Sequence, residues 1–195
     1  MLSMKKPMSK YRREIAIIFL VFCAGLSAFM LMYWITDQGP GVSPDSTSYI
    51  EVARNLLAGK GFLVRGNAMT HYPPGYPILI GGTAVLHRGD FIQATRFLCA
   101  LFYSVNLVLL GMAVYISTRR SFIATGCAIL LFVFSAPIMV VHSMAWTEAP
   151  YITFSMMSLL FLSYHIKHPR IHVLLLASLM AGFATAIRYV GIVLF

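Results

Sequence analysis

Five stretches of this chain run for 17 to 27 residues without Asp, Glu, Lys or Arg: residues 15–36, 97–118, 121–147, 149–166 and 171–187. A helix needs roughly 20 apolar residues to cross a bilayer. In hydrocarbon, backbone polar groups must be satisfied within such a helix or by a closed barrel. With 59% of its residues hydrophobic and 11% charged, the 195-residue chain has too little polar surface to wrap a soluble core of its size. The expectation is an all-α polytopic membrane protein with about five transmembrane helices, the last continued to residue 190. A sixth run, 74–86, has 13 residues and contains Pro77, Gly81 and Gly82, which fits an interfacial or re-entrant segment better than a span.

Charge sets the expected orientation. Lys and Arg collect on cytoplasmic flanks. An inside N-terminus, read as an uncleaved signal anchor, places Lys5, Lys6, Lys10, Arg12 and Arg13 there, and with 74–86 kept on the outer face Arg119, Arg120, Lys167 and Arg170 join them. Nine of fifteen basic residues then lie inside; the expected location is a bacterial inner (plasma) membrane with the N-terminus cytoplasmic. The net charge of +9 is scattered over membrane-flanking segments and forms no stripe, which argues against nucleic acid and for membrane lipids as its partners. Cys23, Cys99 and Cys127 fall inside expected spans without paired spacing, so neither a disulfide framework nor a thiolate metal site is indicated. His165, His168 and His172 are interrupted by Pro169 and read as a solvated turn.

This topology makes 37–96 one long external loop carrying juxtamembrane helices. Its first helix is bounded by Pro44, which suits a first turn, Asp45 at the positive end of the helix dipole, and Gly59 and Gly61 at the close. Tyr49, Ile50, Ala53, Leu56 and Leu57 form one stripe, expected to lie on the membrane surface. The second helix waits until the prolines of His71-Tyr-Pro-Pro-Gly-Tyr-Pro77 are passed. Trp34 and Trp146 fall at outer ends of spans, and Asn106 sits mid-span as an expected interhelical hydrogen-bonding residue. Pro137 interrupts the third span.

Of the six carboxylates, five lie on the outer side in this topology, and Glu148 is pinned to the outer end of the third span in Trp146-Thr-Glu-Ala-Pro150. Carboxylates at a membrane boundary are costly to desolvate and often serve a site. The bland alternative is a helix-start charge on the dipole, with Thr147 as its cap.

The ordered set of Asp45, Tyr49, Ala53-Arg-Asn-Leu-Leu-Ala-Gly-Lys-Gly61, His71-Tyr-Pro-Pro-Gly-Tyr-Pro77, a basic pair and Thr147-Glu-Ala-Pro150 resembles the front part of polytopic GT-C glycosyltransferases. The resemblance is to the protein mannosyltransferase and lipid A aminoarabinose transferase group, glycosyltransferase family 39, and covers nearly the whole chain, 1–195, as the N-terminal part of such a transmembrane domain. It implies sugar transfer from a polyprenyl-phosphate donor to a lipid, glycan or protein acceptor at the outer face, with inversion. Asp45 takes the role of catalytic base, and Glu148, with Tyr49, His71 and Tyr72, that of the acceptor or donor site. Arg54, Arg65, Arg96 and Arg188 are the candidates for binding the donor phosphate. Relatives often carry Asp-Glu where this chain has Asp45-Ser46, so no metal ligand set is assigned and a divalent metal stays open as a cofactor. The competing readings are a non-catalytic membrane scaffold and part of a transporter.

Overall fold

The computed structural model describes residues 10–195; the expected basic flank at Lys5 and Lys6 lies outside the described residues. The architecture is all-α. Helix α1 (Lys10–Ile35) leads to α2 (Pro44–Leu57), a small antiparallel hairpin of β1 (Leu63–Val64) and β2 (Asn67–Ala68), and α3 (Gly75–Leu86). Then follow α4 (Phe91–Ser117), α5 (Phe122–Val133), α6 (Ala136–Ser143), α7 (Glu148–Lys167), α8 (Ile171–Ile187) and a 3-10 turn over Tyr189–Leu194.

Among the described residues, α1 (from Glu14) and α4 are long and apolar enough to cross a membrane unaided. The third expected span is bent by 59° between α5 and α6. Helices cannot easily run into a proline, and the break at Phe134–Ser135 leaves Pro137 in the first turn of a new helix. The fourth and fifth expected spans are α7, 20 residues diluted by Glu148, Lys167 and several hydroxyls, and α8, only 17 residues long. These two pack closely as a hairpin across the turn at 168–170, and Ser158 donates to the Ala177 carbonyl at 2.9 Å. Helix α4 starts six residues before the expected span because Asp90 caps it, accepting from the Ile92 and Gln93 amides at 3.0 and 2.9 Å.

Two cores hold the chain. The first joins α1, α4, α5 and α6 around Met32, Tyr103, Leu107 and Phe132. The second joins α2, α3, α4 and α7 around Tyr49, Ala53, Tyr76, Ile80, Phe102 and Ala149. The second core corrects the expectation for α2: its stripe packs on α3, α4 and α7 instead of lying on lipid, and only Leu57 at its end stays exposed. The reason is that α3 supplies a second apolar helix at the same level, so protein covers the stripe.

The two ends of the bundle differ. At one end Arg120 pairs with Glu14, and the turn at 168–170 lies there too. At the other, Gly41 forms a short parallel bridge with the 143–145 segment, its amide donating to the Ser143 carbonyl and its carbonyl accepting from Ala145, both at 2.8 Å. A Cβ at Gly41 would meet the Met144 side chain, so a larger residue there would require that methionine to move.

Candidate functional site

At the Gly41 end a cavity of about 550 Å³ opens between the start of α2, the segment before α3, the α6–α7 corner and the end of α8. Each wall is fixed by local chemistry. Helix α2 starts in a capping box, with Ser43 Oγ accepting from the Ser46 amide at 3.3 Å and Ser46 Oγ accepting from the Ser43 amide at 3.0 Å. Asp45 is thereby left free of capping duty, in the exposed first turn. Trp146 crosses the cavity rim and donates its indole N–H to Ser43 Oγ at 3.1 Å, tying the α6–α7 corner to that cap.

Asp45 faces Tyr72, whose hydroxyl donates to Asp45 Oδ1 at 2.5 Å, at the short end of the range for an O–H on a carboxylate. That bond holds the Tyr72 phenol above its ordinary pKa. Tyr49 stands beside both, its ring edge-on to Tyr72 and to Tyr76 with centroids 5.1 and 5.4 Å apart. Burial and the nearby Asp45 charge push the Tyr49 hydroxyl up to about 12, with Tyr72 and Glu148 adding to the rise and hydrogen bonding with Thr147 drawing it back. Tyr49 thus sits between the two carboxylates. His71 lines the same wall, exposed, its ring against Tyr72 with centroids 4.8 Å apart.

Across the cavity, Arg188 pairs with Glu148 and donates to Thr147 Oγ1 at 3.2 Å. The two charged side chains are 36% and 39% exposed, which leaves the pair screened and exchangeable. Thr147 takes a helical conformation and makes no side-chain cap, so its expected role gives way to the contact with Arg188.

The structure gathers Asp45, Tyr49, His71, Tyr72, Glu148 and Arg188 into one cavity. It does not bring the other three arginines there. Arg96 stacks over the Tyr33 ring at 3.7 Å and donates twice to the Tyr33 carbonyl, at 3.1 and 2.6 Å, because α4 starts beside the end of α1. Arg54 leans over the Phe91 ring at 5.4 Å on the solvated side of α2. Arg65 stands exposed in the hairpin turn with φ of 49°, its amide held by Glu51 at 2.7 Å. Trp146 and Ser43 are the members that sequence reasoning missed; the tryptophan reads as an interfacial anchor until the α6–α7 corner is seen to fold over α2. Trp34 is 73% exposed and takes no part in the cavity. Among the described residues no three His, Cys, Asp or Glu side chains are grouped to hold a metal ion.

The arrangement has one carboxylate carrying a hydroxyl donor on one wall and a guanidinium with an exchangeable counter-ion on the other. It suits transfer of a group that departs as an anion. The family model for dolichyl-phosphate-mannose-protein mannosyltransferases matches residues 71–195, more than half of the chain. The chain belongs to that family. It is therefore a membrane glycosyltransferase chain of the GT-C type. The mannosyltransferase-family match takes in His71, Tyr72, Arg96, Glu148 and Arg188, whereas Asp45, Tyr49, Arg54 and Arg65 precede it. No curated protein and no solved structure matches the chain.

Proposed function

We propose that the chain supplies the catalytic face of a transferase that moves a sugar from a polyprenyl-phosphate carrier to an acceptor hydroxyl or related group, with inversion, at the outer membrane surface. The observation that carries this reading is the opposition of Asp45 and the Arg188–Glu148 pair across one cavity at the end of the helical bundle. A donor with its tail in lipid and its head outside needs a cavity at that level.

Asp45 is the general base. Tyr72 holds Oδ1, which leaves Oδ2 to take the acceptor proton. As that proton leaves, the acceptor oxygen attacks the anomeric carbon on the face opposite the phosphate. The carbon–oxygen bond to phosphate breaks, and both its electrons depart with the polyprenyl phosphate. Arg188 meets the phosphate in place of Glu148, since a guanidinium matches phosphate geometry in a two-pronged contact. A cation about 4 Å from the phosphate at an effective dielectric near 20 contributes roughly 4 kcal/mol before screening. Tyr49, neutral throughout, and His71 line the sugar's place between the two walls. Outer-face placement follows from the charge rule, with Arg119, Arg120, Lys167 and Arg170 at the opposite end.

The transporter reading keeps its broken third span but is weakened, because that span carries no carboxylate and its His142 is bonded to Asn106 and to the Ile138 carbonyl. The test is Asp45→Asn in the full-length protein, with sugar transfer followed from a labelled polyprenyl-phosphate donor. Loss of transfer by about 10² to 10⁴-fold with donor binding kept is expected of a lost general base. Undiminished transfer sinks the base assignment.

A further inference from the structure

We infer that Asn106, through His142 and Thr153, is the positioning residue that sets Glu148 and Arg188 at the cavity, although it lies in mid-span and touches none of the cavity's walls. This rests on the transferase reading above and assigns it a further part.

Helix α7 begins without help. Thr147 does not cap it, Pro150 removes an amide from its first turn, and Glu148 spends its carboxylate on Arg188. Its start is fixed from the interior of the helical bundle instead. Asn106, fully buried in α4, donates from Nδ2 to the Ala149 carbonyl at 3.0 Å and to His142 Nε2 at 2.9 Å. Its Oδ1 accepts from the Thr153 hydroxyl at 2.7 Å, and that hydroxyl lies 3.2 Å from the Ala149 carbonyl as well. His142 closes the set with Nδ1 against the Ile138 carbonyl at 2.8 Å, so an Nδ1–H ring serves both of its contacts.

Three of the four hydrogen-bonding positions of the Asn106 amide are therefore in use, all towards α6 and α7. One side chain of α4 holds the second half of the bent span and the first turn of the next helix together. The corner between them, 144–147, is clamped from the opposite side by Gly41. Glu148 is the residue next to the clamped Ala149 carbonyl, and Arg188 is held by Glu148 and Thr147. A fully satisfied polar network in a dry interior rigidifies what it joins. Loosening it frees the α6–α7 corner, and with it the Arg188 counter-ion.

The test is a double-mutant cycle read by binding of polyprenyl monophosphate to the detergent-solubilised full chain. One leg is Asn106→Leu with His142→Leu together, which removes both polar partners and keeps the site apolar, a change that leaves fewer groups unpaired than either alone. The other leg is Arg188→Ala. The first leg weakens binding by about 10-fold, and in the Arg188→Ala background it weakens it no further, since residues acting through one another are not additive. Equal losses in both backgrounds, or no loss in either, overturn the inference. Should the leucine pair not fold, Thr153→Val, nearly isosteric, replaces it in the same cycle with the same two outcomes. If the unmodified chain does not bind polyprenyl monophosphate, the transferase reading itself falls, and this inference with it.

Discussion

Gly75 opens α3 against the end of α8, where a Cβ would lie 2.5 Å from the Ala186 carbonyl oxygen and 2.7 Å from its carbon. Ordinary contact begins at 3.4 Å, and both obstacles are backbone, so no side chain can swing aside. In Gly75→Ala the two helix ends must part by about 1 Å, and a misplacement of that size near a reacting centre costs on the order of 10²-fold in rate. The stability terms oppose each other. Alanine gains at most about 1 kcal/mol over glycine in a helix, while overpacking costs about 1–3 kcal/mol. With the full helical gain set against it, the net expectation is a loss of about 0–2 kcal/mol. Arg188 lies two residues beyond Ala186 and His71-Tyr72-Pro73 just before Gly75, so the separation falls on the cavity. Gly82 in the same helix provides the control, because a Cβ there meets nothing within 4 Å. Gly82→Ala gains about 0.5–1 kcal/mol and leaves transfer unchanged. Thermal unfolding in detergent and transfer from a labelled polyprenyl-phosphate donor, run on both variants, decide the matter. If Gly75→Ala matches Gly82→Ala in both, the α3–α8 contact does not shape the site.

Arg96 and Arg188 part company under substitution. Arg96→Lys loses the paired bonds to the Tyr33 carbonyl and the stacking on its ring, lowering stability by about 1.5–3 kcal/mol while the donor KM holds; Arg188→Lys keeps the fold and raises the donor KM about 10-fold, and equal effects on KM contradict the division of roles. Tyr49 carries a pH signature outside the membrane-spanning helices. Its folded pKa, about 12, lies above the unfolded 10.0, so its contribution to stability is whole below pH 10 and is lost as pH climbs from 10 towards 12. Ultraviolet difference titration of the chain against Tyr49→Phe is expected to show one tyrosinate step missing near pH 12, and a step at pH 10 contradicts the burial between two carboxylates. For orientation, single cysteines at Asp45, Glu148 and Arg119 in a background without native cysteines are labelled on intact cells. The first two react from outside and Arg119 does not, whereas labelling of Glu148 only from inside reverses the topology.

Local chemistry in the sequence reached the structure where neighbours along the chain decide the outcome. The start of α2 at Pro44, its close before Gly59, which takes a φ of 71°, and the interruption of the third span near Pro137 all appear. Asn106 bonds across helices as its mid-span position implies. Contacts between distant residues could not be read in this way. Tyr72 meets Asp45 across 27 residues and Trp146 meets Ser43 across 103, and neither pairing has a local signature. Arg96 shows the same limit from the other side: its place near an outer helix end suits phosphate as well as it suits Tyr33, and only the packing of α4 on α1 separates the two. The stripe on α2 was legible as an apolar face, but what covers it depends on α3, which arrives later in the chain.

The order in which the cavity's walls are made has a consequence for how the protein is built. Glu148 emerges from the ribosome forty residues ahead of Arg188. At about 5–20 residues per second it waits on the order of seconds at the membrane boundary without its countercharge. Of the cavity's walls, the one made last in chain order brings the guanidinium, so Glu148 is placed before its ion-pair partner. A chain arrested before Arg188 would carry Asp45 and Glu148 on this cavity without the guanidinium that faces them, and on the transferase reading it would hold no donor phosphate.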